Sequence, residues 1–375
     1  MAQEVSVRED HPDEYIVVEG DTLWDISGRF LDQPWQWPAI WHANQQIENP
    51  HLIYPGDTIS LVYIDGQPRL MVDRGRPTVR LSPETRVTTR EPIPPIPHEA
   101  ISGLIRNFRH VSSKEELDRL PYVVANAEQR HQAVTNDNIY VRQLNGDVGQ
   151  FYAVMRVANI YFRKDGEIRR AVDPGYKIEA PTRIEWHGNW SQRLSNWSPQ
   201  NYGEIVGIEL YQVAEGMLTK TGDPAIITIG SAQESVKAGD FVVPLDDPGY
   251  VAQYQPRAMD TVPDGMRVLA VQGDNRLVGH FKMVSINGGS RNGIEPGHVF
   301  SAFREGQEIR DKVKYPAGSL ADAANWRTDM VVLPDEFEAH IMVFRVFDEV
   351  SYALVMTGLR PVREHSVLKH PDETL

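Results

Sequence analysis

The first clear pattern along the chain is a short β-rich run, Tyr15-Ile16-Val17-Val18, that ends at Gly20. A residue without a Cβ turns there at positive φ at little cost. Leu23, Ile26, Ser27 and Phe30 then recur at helical spacing and predict the buried stripe of a first helix, with Asp21 placed to cap it. Pro38 suits the opening of a second helix, whose inward face would be Ile40, Trp41, Asn44 and Ile47. Pro55-Gly56 marks a turn, and Thr58-Ile59-Ser60-Leu61 alternates as a strand does. The predicted order is βααβ across residues 15–65, with the two strands pairing antiparallel, after a polar, acidic and flexible lead at residues 1–14.

Residues 66–97 read as a connector with strand character at Arg69–Val72 and Thr78–Leu81. It ends in Glu91-Pro92-Ile93-Pro94-Pro95-Ile96-Pro97, whose prolines favour a stiff polyproline II spacer. Helical pieces are expected around Ile101–Phe108 and Ser113–Leu120. From residue 122 the pattern is β, with apolar or alternating runs at Ile205–Val213, Ala225–Ile229 and His340–Val346. Ala232–Val242 can be laid on Ser290–Phe300, sharing small-x-x-small-aliphatic-x-x-Gly-x-x-apolar. This points to a repeated turn-into-strand element in two or three small β subdomains within 98–375. The fold class expected is α+β: a small βααβ module followed by a mostly β region.

Composition narrows the function. Glycine (28) and proline (26) are too frequent for a helical protein of 375 residues. No apolar stretch reaches the length of a membrane-spanning helix. Met1-Ala2-Gln3-Glu4 lacks the basic and apolar regions of a signal peptide, and a mature exported chain with an added Met1 would begin the same way. Cysteine is absent, which removes disulfides, thiolate metal sites and cysteine nucleophiles. The net charge of −14 is concentrated at the start, where residues 1–66 hold 12 Asp and Glu against Arg8 and Arg29. An acidic module argues against nucleic acid and anionic surfaces, whereas a neutral sugar chain needs no charge pairing.

The N-terminal motifs resemble the LysM family. Tyr15-x-Val17-x-x-Gly20-Asp21-Thr22-Leu23-Trp24-x-Ile26 is similar to its opening, and Asn49-Pro50-x-x-Ile53-Tyr54-Pro55-Gly56-Asp57-x-Ile59-x-Leu61 to its close. The resemblance implies binding to the N-acetylglucosamine of peptidoglycan or chitin. The groove would lie between Gly20, Asp21, Thr22 and Leu23 on one side and Asn49, Pro50, Leu52, Ile53 and Tyr54 on the other. An N-acetyl sugar offers an amide to backbone N–H and C=O groups and a methyl and ring faces to an apolar wall. Gly20, Asp21, Pro55 and Gly56 are required by the fold as much as by a ligand. Trp24 and Trp41 read as core, and Trp35 and Trp37 as exposed aromatics for sugar or a protein partner.

LysM modules often accompany wall hydrolases, but His-Glu-x-x-His, Gly-x-Ser-x-Gly and a phosphate-binding loop are missing. Lys220-Thr221-Gly222 and Ser366-x-x-Lys369 resemble penicillin-binding enzymes in reversed order, and the first reads better as a hairpin turn. The histidines lack metal-ligand spacing, with His298 and His340 read as structural, so neither metal nor cofactor is expected.

A narrower resemblance runs through Arg29-Phe30-Leu31-Asp32-Gln33-Pro34-Trp35-Gln36-Trp37-Pro38-Ala39-Ile40-Trp41, Leu81-Ser82-Pro83 and Ile93-Pro94-Pro95-Ile96-Pro97. It is to the TsaP family of secretin-associated proteins of type IV pilus machines. That resemblance implies a C-terminal region similar to the flagellar T-ring protein FlgT and a periplasmic location. It further implies a non-catalytic anchor on peptidoglycan glycan strands that joins the outer-membrane secretin, as an oligomer or ring. The competing expectation is a peptidoglycan-modifying enzyme with an unrecognised catalytic domain.

Overall fold

The computed structural model describes residues 5–41, 53–73, 103–104, 106–127, 132–170, 203–245, 254–272, 277–311, 313 and 330–373. The N-terminal module is a three-stranded antiparallel sheet in the order β1 (Glu14–Ile16), β2 (Thr58–Ile64), β3 (Gln67–Asp73). Its helices are α1 (Leu23–Phe30) and α2 (Trp37–Trp41), with a 3-10 turn at Pro34–Gln36 between them. The strand expected at Arg69–Val72 is β3, and the lead expected as flexible is instead tied to the module, with Val7 bridged to Leu31 and packed on its core. The expected connector instead contributes a full hairpin partner to β2, with Leu61 opposite Leu70 and Ile59 opposite Val72. The hairpin covers apolar residues that two strands alone would leave wet. The prolines of 92–97 lie outside the described residues.

The expected stripe of α1 is buried throughout, and it packs with Val17, Trp37, Ile40, Trp41, Ile53, Ile59 and Leu70. Asn44 and Ile47 lie outside the described residues. Helix α1 and the 3-10 turn approach closely: a Cβ on Gly28 would sit 3.4 Å from Pro34 Cγ.

Most of the other described residues form two closed β structures. In the first, β9 (Glu204–Lys220), β10 (Ala225–Ala232), β6 (Asn138–Arg142), β5 (Tyr122–Asn126), β11 (Phe241–Pro244) and β7 (Phe151–Lys164) are neighbours in that order. Pairing of β7 with β9 closes the ring, which leaves these strands no free edge. Strand β4 (Phe108–Val111) adds to β9 and β8 (Glu167–Arg170) to β7, while α3 (Lys114–Leu117), capped by Ser113, follows β4. The barrel interior holds Val123, Ile139, Val141, Val154, Val213, Ile227 and Val242.

The second barrel runs β16 (His298–Arg304), β19 (Glu336–Val346), β20 (Ser351–Gly358), β15 (Met283–Ile286) and β13 (Val268–Val271). Strand β22 (Val367–Lys369) pairs β16 on one side and bridges Arg267 on the other. Val268 N–H donates to Ser366 O and Leu368 N–H to Met266 O, each at 2.9 Å, so this barrel closes too. Its interior is Val268, Val284, Ile286, Phe300, Ile341, Val343, Ala353 and Val355. The α+β expectation describes the N-terminal module; the rest is strand with very short helical turns.

The 232–242/290–300 repeat is visible as geometry. In both stretches the aliphatic position, Val236 or Ile294, is buried in a barrel core. Gly239 and Gly297 have φ of 93° and 94°. Asp240 Oδ2 accepts from Lys237 N–H at 2.8 Å, and His298 Nδ1 from Glu295 N–H at 3.1 Å. The same four-residue turn recurs at Val18–Asp21, Tyr54–Asp57, Val134–Asp137 and Arg363–Ser366. In each, a positive φ falls at the third residue and the fourth side chain accepts the first N–H. A positive φ at that position calls for Gly or Asn, and the side-chain acceptor satisfies an N–H that the turn itself leaves over. His365 occupies it at 69° in the last of these.

The barrels meet across a buried polar centre. Glu209 on β9 accepts from Asn159 Nδ2 at 2.8 Å and from the Tyr161 hydroxyl and the Ser285 hydroxyl at 3.0 Å. Burial raises its pKa above the ordinary carboxylate range. Around it, Arg163 and Arg291 both pair with Glu349, and Arg170 pairs with Glu364 at 2.8 Å.

Candidate carbohydrate-binding site

Two of the recurrent turns stand side by side in the N-terminal module. Val17 N–H donates to Asp57 O at 2.9 Å, and Gly56 N–H donates to Val17 O at 2.7 Å. The turn Val18–Asp21 is thereby tied to the turn Tyr54–Asp57, although the two are far apart in sequence. Asp57 Oδ2 accepts from Tyr54 N–H at 3.0 Å, fixing the second turn just before β2.

Asp21 does not cap α1. Its carboxylate accepts from Val18 N–H at 2.8 Å and from the Tyr15 hydroxyl at 2.9 Å, closing its own turn. The cap is Thr22, whose Oγ1 accepts from Asp25 N–H at 3.1 Å and donates to Asp25 Oδ2 at 2.7 Å. Thr22 has the extended backbone a cap needs, and Asp21 is one residue too early for that role. Burial and the Asp21 carboxylate push the Tyr15 hydroxyl above its ordinary pKa, and Arg29 lies 4.3 Å above the Tyr15 ring.

The expected contacts divide by depth. Gly20 is exposed, with φ of 95°, and a Cβ built on it meets nothing within 4 Å. Asp21 and Tyr54 are half-buried. Thr22, Leu23 and Ile53 are buried, with Leu23 and Ile53 in the module core. At 3%, 1% and 0% exposed they offer the surface almost nothing, so the expected apolar wall at Leu23 and Ile53 is core, and what stands open is Gly20, Asp21 and Tyr54. Asn49, Pro50 and Leu52 lie outside the described residues. Sequence reasoning missed Ile16 and Val18, which stand 61% and 52% exposed beside Gly20. A run of four apolar residues in a strand covered on one face was the available signal.

Trp35 and Trp37 are corrections. Expected as exposed aromatics, they are 4% and 1% exposed. Trp37 lies in the module core, whereas Trp35 and Trp24 reach out of it. They pack on Met283, Val299, Met342, Phe344, Leu354 and Met356 on the outside of the second barrel. Trp24 Nε1 donates to Thr357 Oγ1 at 2.7 Å, and Gln36 Nε2 to Asp372 Oδ1 at 3.4 Å. The tryptophans are covered by a surface that only the folded chain brings near.

Lys220 ends β9 on the first barrel, at the hairpin to β10. Ser366 closes a turn on the second barrel, where its buried hydroxyl donates to Glu338. The structure does not join them.

Residues 15–62 match the LysM domain family. They form a LysM domain. Over 60 residues the chain is also 35% identical to an uncharacterized protein, YqbP, of Bacillus subtilis (strain 168). That similarity spans 13% of this chain and 27% of the relative. The LysM assignment carries peptidoglycan or carbohydrate binding with it. The open Gly20 turn and its tied partner at Tyr54 lie inside the matched residues.

Proposed function

We propose that this chain is a non-catalytic anchor of the cell envelope, located in the periplasm. It holds peptidoglycan through its LysM domain and joins the outer-membrane secretin of a type IV pilus machine through its two barrels. The observation that carries the reading is the docking of the LysM domain on the second barrel through Trp24 and Trp35. A module packed this way presents its sugar-binding turns in a fixed direction relative to the barrels. The sequence resemblance to TsaP proteins, with their FlgT-like region, supports the secretin as partner.

Fixed presentation bears on affinity. One small groove with a dissociation constant near millimolar supplies only about −4 kcal/mol. Several copies arranged in a ring gain roughly 10²- to 10⁴-fold when their geometry permits simultaneous binding. Docked LysM domains satisfy that condition better than domains on loose tethers.

The test has two arms. Purified full chain and a version lacking residues 98–375 are incubated with sacculi, and each is used to capture the secretin from envelope extracts. The proposal expects tighter sacculus binding by the full chain, secretin capture by the full chain alone, and no soluble wall fragments. Release of fragments would favour a wall-modifying enzyme, and equal sacculus binding by both proteins would remove the multivalent anchor.

A further inference from the structure

A cleft of about 650 Å³ opens where the two barrels meet, far along the chain from the LysM domain. That volume suits a small-molecule ligand or a few amino-acid residues. Most of its wall is the first barrel, including Met155, Gln212, Glu215 and Leu245, with Arg109 on β4. The second barrel supplies Arg345, on β19.

Arg345 is unusual in its surroundings. It is half-buried, with its guanidinium 5.3 Å from the Phe347 ring centre. Among the described residues no carboxylate lies within ion-pair distance of it, although most other half-buried arginines here are paired. Burial lowers its pKa, and the charge on Arg109 lowers it further. Arg106 lines the cleft as well, so three like charges share one cavity, and that of Arg345 is partly removed from water. This arrangement is costly unless an anion joins it. The same wall carries carboxylates: Glu116, which accepts from Ser112 N–H at 2.9 Å, and the half-buried Glu215. Guanidinium groups and an open carboxylate in one cleft are complementary to a ligand bearing both signs.

We propose that this cleft binds a short zwitterionic peptide, with Arg109 and Arg345 taking its carboxylates and Glu215 its ammonium group, and that the ligand is the stem peptide of peptidoglycan. The choice of source rests on the LysM reading, because a chain that holds the glycan strand meets the attached stem peptides at high local concentration. Stem peptides carry free carboxylates and, at the diamino acid, a free amine. The apolar floor at Met155 and Leu245 accommodates their alanine methyls. Because Arg345 comes from the other barrel, the site is complete only when the two barrels are in register.

The experiment is calorimetric titration of the full chain with a synthetic stem tetrapeptide whose N-terminal amine is capped as it is in the wall, the same peptide acetylated at the diamino acid as well, succinate, and an N-acetylglucosamine pentamer. Saturable tetrapeptide binding is expected, at least tenfold weaker in Arg345→Gln and in the surface variant Arg109→Gln. The acetylated peptide and succinate should also bind at least tenfold more weakly than the tetrapeptide. Pentamer affinity should be the same in all three proteins. The proposal is overturned if the tetrapeptide does not bind, if both variants bind it as the parent does, or if blocking the diamino acid's amine changes nothing. Loss of pentamer binding by the parent chain would strike the LysM reading instead, leaving the tetrapeptide result to be judged by itself.

Discussion

Trp24 on the first LysM helix and Thr357 at the end of β20 share a 2.7 Å hydrogen bond across 333 residues of sequence. The indole body is buried among the methionines and aromatics of the second barrel's outer face, so a residue of the first LysM helix belongs to the barrel's packing. Thr357→Val leaves a buried indole N–H without its partner and should cost about 1–3 kcal/mol. Trp24→Ala removes the packing as well and should cost about 3–5 kcal/mol. Denaturant unfolding gives both values, and limited proteolysis should release residues 5–73 from Trp24→Ala far faster than from the parent. Equal release rates would mean that the docking contact does not hold the domain.

Gly20 is constrained by conformation alone, since a Cβ there meets nothing. At a φ of 95°, Gly20→Val should destabilise the LysM domain by about 1–2 kcal/mol and weaken N-acetylglucosamine oligomer binding. Gly20→Asn, which tolerates positive φ, should recover most of both. Paired unfolding and titration measurements check this; a fully stable, fully binding Val variant would show that the turn is not strained.

His110 and His340 are both held near pKa 4, chiefly by burial, which disfavours their charged forms. A histidine whose pKa falls from 6.5 to about 4 binds fewer protons folded than unfolded across that window. Its contribution is therefore present above pH 6.5 and is lost as the pH falls toward 4. Each site accounts for at most about 3 kcal/mol. His340→Gln should flatten the dependence of unfolding free energy on pH between 6.5 and 4, measured by urea titration at several pH values. An unchanged slope would reject the assignment.

The repeated turns differ in what stands behind them. Asp240 holds Arg156 through two hydrogen bonds of 2.8 Å as well as closing its turn, whereas His298 closes its turn without a buried cation. Asp240→Ala removes both of those bonds and leaves the mostly buried Arg156 guanidinium with Glu234 and the Ser235 carbonyl, and should cost about 3 kcal/mol. His298→Ala should cost nearer 1 kcal/mol. Thermal melts of the two variants order them, and comparable losses would place the energy in the turn and not in the ion pair.

Much of the LysM domain was legible because its information is local. Leu23, Ile26, Ser27 and Phe30 carry a helical period, and the Gly20 and Gly56 turns need residues that announce themselves. The repeat was legible for the same reason, through Gly239 and Gly297. Trp35 was misjudged because its exposure is decided by distant chain, and a tryptophan covered by β20 reads like one waiting for sugar; Trp37 was misjudged within the module, where it joins Ile40 and Trp41 in the core. Barrel closure was hidden as well. It depends on β7 meeting β9 and on β22 reaching Arg267, pairings that no turn signal marks. Strands such as Ser351–Gly358 are apolar on both faces, with Ala353 and Val355 inward and Leu354 and Met356 under the tryptophans. Alternation therefore could not say which way they faced. In the candidate groove, the turn bearing Gly20 and the depth of Leu23 were readable, while the depth of Ile53 was not.

The long β7–β9 ladder has a mechanical consequence. From Phe151 opposite Met217 to Arg163 opposite Glu204, the two strands run antiparallel over most of their length. Tension drawn along them loads these hydrogen bonds together in shear, and they must yield collectively before the barrel opens. The docked tryptophans are a different kind of joint, a patch of side chains that can peel one contact after another. Under a pull applied at the N-terminal domain, the molecule should therefore part first at Trp24 and keep its barrels intact.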